Sequence, residues 1–295
     1  MAVSDGGVLI AEEGGSVDGD EAAIELVNPK DSFQALPELN PDIANHWYVC
    51  GPSGSGKSTA ASKIAEQFKK ITDGLVIVLS MDSEEDDSFT CADVRLSVNE
   101  SADLTLDDLM GEGDDDTGER QRTMVVFDDH LSGADPAITA AVLLLQRAVI
   151  ERGRKFGVSS ITTAHRPATG ASSKFILAGC THFCFFPMHG AGRSLRYTLE
   201  TYCQVPGEIV SLLRRDPVGW GRCCTLKLSA PMCCIGHRRA MILDPEHIES
   251  TFRALKKKMV KKALVAAEGH GSDDDERDGT PAALAIAAAR GQRKN

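Results

Sequence analysis

The segment Gly51–Thr59 combines residue types that can hold a phosphate chain. It fits the pattern G-x-x-x-x-G-K-[ST] with Gly51, Pro52, Ser53, Gly54, Ser55, Gly56, Lys57, Ser58 and Thr59. Glycines let the backbone curl until successive N–H groups point inward, and a following helix adds the partial positive charge of its N-terminus. Lys57 can reach the β- and γ-phosphates, and the Ser58 hydroxyl can ligate Mg²⁺. The segment therefore predicts a site for ATP or another nucleoside triphosphate with Mg²⁺.

Two elements must flank this loop for the motif to be meaningful. His46–Cys50 is a short apolar run typical of a buried strand, and Ser58–Lys70 contains no Gly or Pro and repeats apolar residues at helical spacing. The alternative is a glycine-rich turn that matches by chance. Because both the strand and the helix are indicated, we favour the phosphate-binding interpretation.

A second candidate site ends the run Thr123–Asp129. Its apolar residues predict a central strand, and two carboxylates follow at the carboxyl end, where ligands bind in open α/β sheets. Asp128 is expected to hold the Mg²⁺ shell, and Asp129 to orient the water that attacks the γ-phosphate. Alternatively, Asp129 only caps the turn before Asp135-Pro136.

The next two predicted elements carry further polar candidates. A strongly apolar helix over Pro136–Glu151 ends at the basic cluster Arg152-Gly153-Arg154-Lys155, which helix capping alone would explain. The β-branched run Val158–Thr163 then predicts a strand that carries His165 to the ligand edge of the sheet. Thr163 and His165 are our candidates for sensing the γ-phosphate, with local turn hydrogen bonding as the alternative.

The alternation of strands and helices predicts an α/β fold with a mainly parallel sheet and helices on both faces. Composition divides the chain into a disordered acidic leader over 1–35, a P-loop ATPase domain over 36–245, a basic helix over 246–267 and a disordered tail over 268–295. Other strands are expected at 75–80, 94–98, 181–187, 221–228 and 232–243, and other helices at 105–110, 194–202 and 206–215.

Charge is distributed unevenly along the chain. The formal net charge is −11, but residues 71–120 carry 16 acidic and 2 basic side chains, whereas residues 140–222 carry 11 basic and 4 acidic ones. Such asymmetry suits a protein with one side that faces a polyanion, and ordinary variation between solvated faces is the alternative. No apolar run approaches the ~20 residues of a membrane span, and no signal peptide is recognisable.

The absence of a signal peptide suggests a reducing compartment, where cysteines stay free. The nine cysteines lie mostly in apolar stretches and are interpreted as buried thiols. Cys223, Cys224, Cys233 and Cys234 form two adjacent pairs, which alternate between strand faces and so differ from the C-x₂-C spacing of zinc sites. Core packing is favoured over zinc for this group.

Taken together, Gly51–Thr59, Val125–Asp129, the Arg152–Gly157 cluster and Ile161–Pro167 resemble the genome-packaging ATPases of large DNA viruses, the poxvirus-type branch of the FtsK–HerA superfamily. The resemblance spans about Asn45 to Leu243. It implies a RecA/FtsK–HerA-like fold and a homo-oligomeric ring that hydrolyses ATP to move double-stranded DNA into a capsid. It also implies capsid or virion proteins as partners, and a location in the host cytoplasm at the viral factory, in the virion, or in both. Arg154, with Arg152 as second choice, would then be an arginine finger acting in trans.

Two other functions stay open at this stage. A nucleotide or small-molecule kinase would share the P-loop and would need an arginine-rich lid, for which Arg193, Arg196, Arg214 and Arg215 are available. A scaffold would bind ATP and assemble without turnover. The apolar strand that ends in two aspartates favours hydrolysis over both.

Overall fold

The computed structural model describes residues 44–81, 88–111, 121–130, 135–168, 170–187, 192–215, 220–229, 232–236 and 240–243, together with three short strands near the start of the chain. These residues belong to one compact unit, Met1–Gly15 with Ile24–Asp244. The predicted helix over 246–267 and the tail over 268–295 lie outside the described residues, as does most of the predicted leader. The proposed domain division therefore stays a prediction.

Twelve strands and five α-helices are described. The strands are β1 (Ala2–Ser4), β2 (Gly7–Leu9), β3 (Gln34–Ala35), β4 (His46–Cys50), β5 (Leu75–Ser80), β6 (Val94–Ser97), β7 (Thr123–Asp128), β8 (Val158–Ala164), β9 (His182–Phe185), β10 (Cys224–Lys227), β11 (Cys233–Ile235) and β12 (Ala240–Ile242). The helices are α1 (Lys57–Thr72), α2 (Pro136–Arg152), α3 (Ala171–Gly179), α4 (Gly192–Tyr197) and α5 (Gly207–Arg215). A π-helical turn, Thr198–Tyr202, continues α4.

Nine of the strands form one sheet in the order β12-β11-β10-β9-β4-β8-β7-β5-β6. The six strands from β9 to β6 pair in parallel, and β10, β11 and β12 extend the β9 edge as antiparallel neighbours. The strands β1, β2 and β3 form a small antiparallel sheet in the order β2-β1-β3. The predicted fold class, a mainly parallel α/β sheet, is confirmed.

The central strands are apolar on both sides because helices cover both faces. On one face, Phe68 and Ile64 of α1 pack on alternate residues of β5 and β7, such as Val78 and Val126. On the other face, α2 packs on the residues in between; its contacts include Val142, Leu145 and Val149 against Ile77, Val125 and Phe127. Side chains that alternate along a strand therefore belong to two separate cores.

Several local predictions differ from the structure. Helix α3 was not anticipated, because its nine residues include two serines and an apolar cluster without a clear helical period. The predicted strand at 232–243 is a hairpin of β11 and β12, and between them Gly236 lies so close to Trp220 that a Cβ there would be 2.6 Å from the Trp220 carbonyl oxygen. The predicted helix at 105–110 is only a 3₁₀ turn, Asp107–Leu109.

All nine cysteines are free, and six of them are buried. Cys224 of β10 lies beside Cys234 of β11, whereas Cys223 lies beside Cys184 of β9. The two adjacent pairs thus divide between the faces of the sheet, as the spacing predicted. Burial raises the pKa of the Cys224 thiol well above its usual value, so this side chain stays protonated and packs as a small apolar group.

The structure also bears on membrane insertion. Within the described ranges, no helix is both long enough and apolar enough to cross a lipid bilayer.

Candidate nucleotide-binding site

Three neighbouring parallel strands carry the predicted site residues to one edge of the sheet. Strand β8 lies between β4 and β7. The loop Gly51–Gly56 follows β4, Asp128 ends β7, and His165 follows β8. Since parallel strands present their carboxyl ends together, motifs that are more than 100 residues apart in the chain meet at this edge.

The loop itself has the backbone that a phosphate cradle requires. Gly54 and Gly56 have φ angles of 72° and 100°, which residues with a Cβ adopt only with strain. The Gly51 N–H donates to the Ala164 carbonyl at 3.0 Å, which fixes the start of the loop to the end of β8. A Cβ on Gly51 would be 2.5 Å from the Ser55 Oγ and 2.6 Å from the Phe186 ring. The first glycine is therefore required for close packing, and the later two for their conformation.

Lys57, His165 and Asp129 form a connected row at the mouth of the loop. Lys57 is buried, and its Nζ lies 3.3 Å from the His165 Nδ1. On the far side of the imidazole, Nε2 lies 3.4 Å from the Asp129 Oδ2. Because the ammonium can only donate, Nδ1 accepts and Nε2 carries the proton that faces the carboxylate. The row joins the residue expected at the γ-phosphate to the expected general base.

Asp128 is held from two sides. The Thr163 hydroxyl donates to the Asp128 Oδ1 at 2.6 Å and accepts the Asp129 N–H at 3.0 Å. The Ser58 hydroxyl lies 3.5 Å from the other carboxylate oxygen of Asp128, Oδ2. Thr163, proposed from the sequence as a γ-phosphate sensor, is buried and turned toward Asp128, so in this structure it orients the carboxylate.

The oxygens of Ser58 and Asp128 fit a magnesium ion. Mg²⁺ takes oxygen ligands at about 2.0–2.1 Å in an octahedron, so adjacent ligands lie about 2.9 Å apart. The observed separation of 3.5 Å is close to that spacing. A small movement of the Ser58 side chain would bring the hydroxyl and the carboxylate into adjacent positions on one ion.

Asp129 has a backbone conformation that sets it apart from the strand. Its φ of 41° is one of three positive values among the non-glycine residues described. Helix α2 is capped by Asp135, whose side chain accepts the Ala137 N–H at 2.7 Å. The Asp129 carboxylate instead points to His165 and is 37% exposed, so a water molecule can reach it.

His130, the next residue, does not add charge to this site. It is buried and contacts the Phe127 ring, with the ring centroids 5.4 Å apart. Burial lowers the pKa of His130 to about 4, so the imidazole is neutral near pH 7.

The two arginines proposed as fingers lie away from this edge. Arg152 ends α2 and Arg154 lies in the 3₁₀ turn Gly153–Phe156, just before β8 begins. Both side chains are exposed. The seven residues of β8 separate this turn from His165, a span of roughly 20 Å. The structure therefore brings neither arginine to the phosphate loop of its own chain.

One residue near the loop was not anticipated. Arg222, in the segment before β10, donates through Nη2 to the Gly54 carbonyl at 2.6 Å. No motif marks this arginine in the sequence. Its position depends on the pairing of β10 with β9, a register that the sequence did not indicate.

Comparisons with known proteins add the following likenesses. No protein-family model matches the chain. Uncharacterized protein V3 of Sputnik virophage is 27% identical over 192 residues, which cover 64% of this chain and 74% of that protein. The pCW3 conjugation coupling protein TcpA, solved with ATPγS, matches at a TM-score of 0.47 and 15% identity, covering 81% of this chain and 72% of that one. The genome packaging NTPase B204 of Sulfolobus turreted icosahedral virus 2, also solved with ATPγS, matches at a TM-score of 0.39 and 13% identity. The match covers 70% of this chain and 98% of that one.

The assignment of the fold rests on features of the chain itself. These are the parallel strand order, the glycine loop between β4 and α1, and the aspartates at the end of β7. The chain has an α/β P-loop NTPase fold, and the solved structures similar to it include a viral genome-packaging NTPase and a conjugation coupling protein.

Proposed function

We propose that this protein is an ATP-hydrolysing motor that translocates double-stranded viral DNA into a capsid. The observation that carries the hydrolytic part is the row Lys57–His165–Asp129 beside the phosphate loop. It sets an accessible carboxylate one residue beyond the buried Asp128, where an attacking water has to be oriented.

Each residue at this edge has a role in the proposed hydrolysis. The backbone N–H groups of Gly51–Thr59 and the Lys57 ammonium bind the phosphates and stabilise charge that grows on the γ-phosphate oxygens. Ser58 and Asp128 would hold Mg²⁺, which when bound neutralises charge on the β- and γ-phosphates. Asp129 orients the water and accepts its proton. His165 lies between Asp129 and Lys57. It can therefore respond when the Lys57 ammonium binds a γ-phosphate.

The proposal includes a homo-oligomeric ring. In it, Arg154, or else Arg152, reaches the γ-phosphate on a neighbouring copy. Both side chains are exposed and both lie roughly a strand length from the site on their own chain, which supports action in trans. An arginine supplied this way stabilises the transition state only after assembly.

The inference that the motor moves DNA rests mainly on the motif resemblance. The same holds for capsid or virion proteins as partners. The excess of basic residues over 140–222 supports a polyanion as a ligand. Packaging by such a motor would take place in the host cytoplasm at the viral factory, with the protein retained in the virion or released from it.

The experiment that tests this proposal is ATP hydrolysis by the purified protein with and without long duplex DNA, at low and moderate salt, beside Lys57→Ala. We expect DNA to stimulate hydrolysis, salt to weaken that stimulation, and the variant to be inactive. Robust hydrolysis at the same rate with and without DNA would contradict the motor. A kinase would then be favoured, and its phosphoryl acceptor would have to be found. Tight ATP binding without turnover in the presence of DNA would instead favour a scaffold.

A further inference from the structure

The segment before β10 reaches the phosphate loop because of the sheet register. Cys50, the last residue of β4, pairs with Phe185 of β9, and Phe185 pairs with Cys224 at the start of β10. Since β10 runs antiparallel, the residues that precede Cys224 emerge at the same edge as the loop that follows Cys50. Arg222 is thereby fixed next to the phosphate loop, although the two are 168 residues apart in the chain.

Neighbouring residues anchor this segment. Trp220 is buried, and its carbonyl accepts a hydrogen bond from the Cys224 thiol. Between them, Gly221 has a φ of 75°, which turns the chain so that Arg222 projects outward. The backbone that carries Arg222 is therefore fixed by its neighbours, and the fold sets the geometry of the contact with the loop.

The guanidinium lies along the glycines of the loop. Its Nη2 donates to the Gly54 carbonyl, and a Cβ on Gly56 would lie 3.5 Å from its Cζ and from its Nε. The guanidinium therefore lies alongside Gly56 at van der Waals distance. A guanidinium has five N–H donors, and this contact uses one of them.

The charge of Arg222 is not neutralised by a carboxylate in the described part of the chain, where the ion pairs are Lys69–Asp93, Arg147–Glu151 and Arg196–Glu200. A backbone carbonyl is a weaker partner for a guanidinium than a phosphate oxygen, which forms charge-assisted and bidentate hydrogen bonds. Two cations, Lys57 and Arg222, therefore flank the loop, one at its inner end and one at its tip.

We propose that Arg222 binds the phosphate chain of the nucleotide held by the phosphate loop of its own subunit. This inference rests on the proposed function only in requiring that the loop bind a nucleoside triphosphate. Arg222 acts in cis, which distinguishes it from an arginine supplied by a neighbouring copy. It also makes nucleotide binding depend on the antiparallel extension that begins with β10, since Trp220 and Cys224 fix the position of Arg222.

The test measures the Kd of a non-hydrolysable ATP analogue and of inorganic triphosphate, with Mg²⁺, for the wild type, Arg222→Ala and Arg222→Lys. Losing a charge-assisted hydrogen bond is expected to weaken both ligands about 10-fold or more in Arg222→Ala. Arg222→Lys is expected to recover part of that loss, because it restores the charge but not the bidentate hydrogen bonds. Arg147→Ala is the matched control, since it removes an exposed arginine on α2, far along the chain from this loop, and is expected to leave both Kd values unchanged.

The melting temperature of the free protein separates ligand binding from a structural role. Arg222 is exposed, so the alanine variant should melt within about 2 °C of the wild type without ligand. A large fall in that temperature with equal weakening in Arg222→Lys would show that Arg222 only holds the loop together. Weakened binding of the ATP analogue but not of inorganic triphosphate would also overturn the proposal, because the contact would then be to the nucleoside.

The binding data distinguish a failure of this inference from a failure of the proposed function. If the wild type binds both ligands, Lys57→Ala binds neither and Arg222→Ala equals the wild type, only the role of Arg222 is refuted. If the wild type binds neither ligand, the nucleotide site itself is refuted, and the inference with it.

Discussion

Replacing Thr163 by Val is expected to impair the site through Asp128, although Thr163 itself touches no nucleotide in the proposed arrangement. Valine has nearly the shape of threonine but lacks the hydroxyl. In the structure this hydroxyl donates to the Asp128 Oδ1 and accepts the Asp129 N–H. The substitution thus leaves a buried carboxylate oxygen and a backbone N–H without that partner, while packing around the side chain stays nearly the same.

The size of the effect follows from the two hydrogen bonds. A bond to a charged group contributes about 1.5–3 kcal/mol and a neutral one about 0.5–1.5 kcal/mol, so the two together contribute about 2–4.5 kcal/mol to folding. For a domain of this size, that lowers the melting temperature by roughly 4–18 °C. Groups that orient metal ligands typically change metal affinity or activity 10–100-fold, which is the expected rise in the Mg²⁺ concentration that half-activates hydrolysis.

The assay is ATP hydrolysis titrated with Mg²⁺, together with thermal unfolding, for the wild type, Thr163→Val and Thr163→Ser. Serine keeps the hydroxyl and loses one methyl group, so it should cost about 1 kcal/mol of stability and leave the Mg²⁺ dependence near that of the wild type. The reasoning is refuted if Thr163→Val hydrolyses ATP with the wild-type Mg²⁺ dependence while Asp128→Ala is inactive.

Three further predictions concern the carboxylate, the loop and the buried histidines. Asp129→Asn should lower kcat about 10²-fold or more with the Kd for ATP little changed, because asparagine tolerates the positive φ but is not a base; an unchanged kcat would assign Asp129 a structural role. Gly51→Ala should weaken nucleotide binding more than Gly54→Ala does, since a Cβ at Gly51 overlaps its neighbours, whereas a Cβ at Gly54 meets no described atom within 4 Å and costs only the strain of its φ of 72°; equal Kd values for the two variants would contradict this. Burial lowers the pKa of His46 to about 4 and that of His182 to about 3. Below pH 6.5 these histidines are therefore protonated in the unfolded chain but stay neutral in the folded chain. Stability should therefore be greatest above pH 6.5 and fall as the pH drops toward 4, less steeply in His46→Gln; a denaturation midpoint that stays constant from pH 7 to 4.5 would be inconsistent with these shifts.

The elements around the phosphate loop could be predicted because local pattern and function coincide there. Strands β4, β5 and β7 are short apolar runs bounded by glycine, serine or aspartate, and β8 is a run rich in β-branched residues that ends just before His165. Their parallel pairing follows from the helices between them. The convergence of the loop, Asp128 and His165 at one edge is then a consequence of topology. Prediction succeeded where spacing along the chain determines position in the sheet.

Contacts that depend on register could not be predicted in the same way. Arg222 lies in a segment without a motif, and its approach to Gly54 depends on how β10 pairs with β9. The orientation of the Thr163 hydroxyl toward Asp128 and the positive φ of Asp129 likewise arise from packing across strands.

Strand β8 has a consequence for how activity relates to protein concentration. It begins beside Arg154 and ends beside His165, so the proposed finger Arg154 cannot reach the phosphate loop of its own chain. Under the proposed function, a dilute chain would bind ATP yet hydrolyse it slowly, and the turnover of each subunit would rise as copies associate. Full catalytic activity would then require the contact between subunits. The cell would control the motor through the local concentration of the protein.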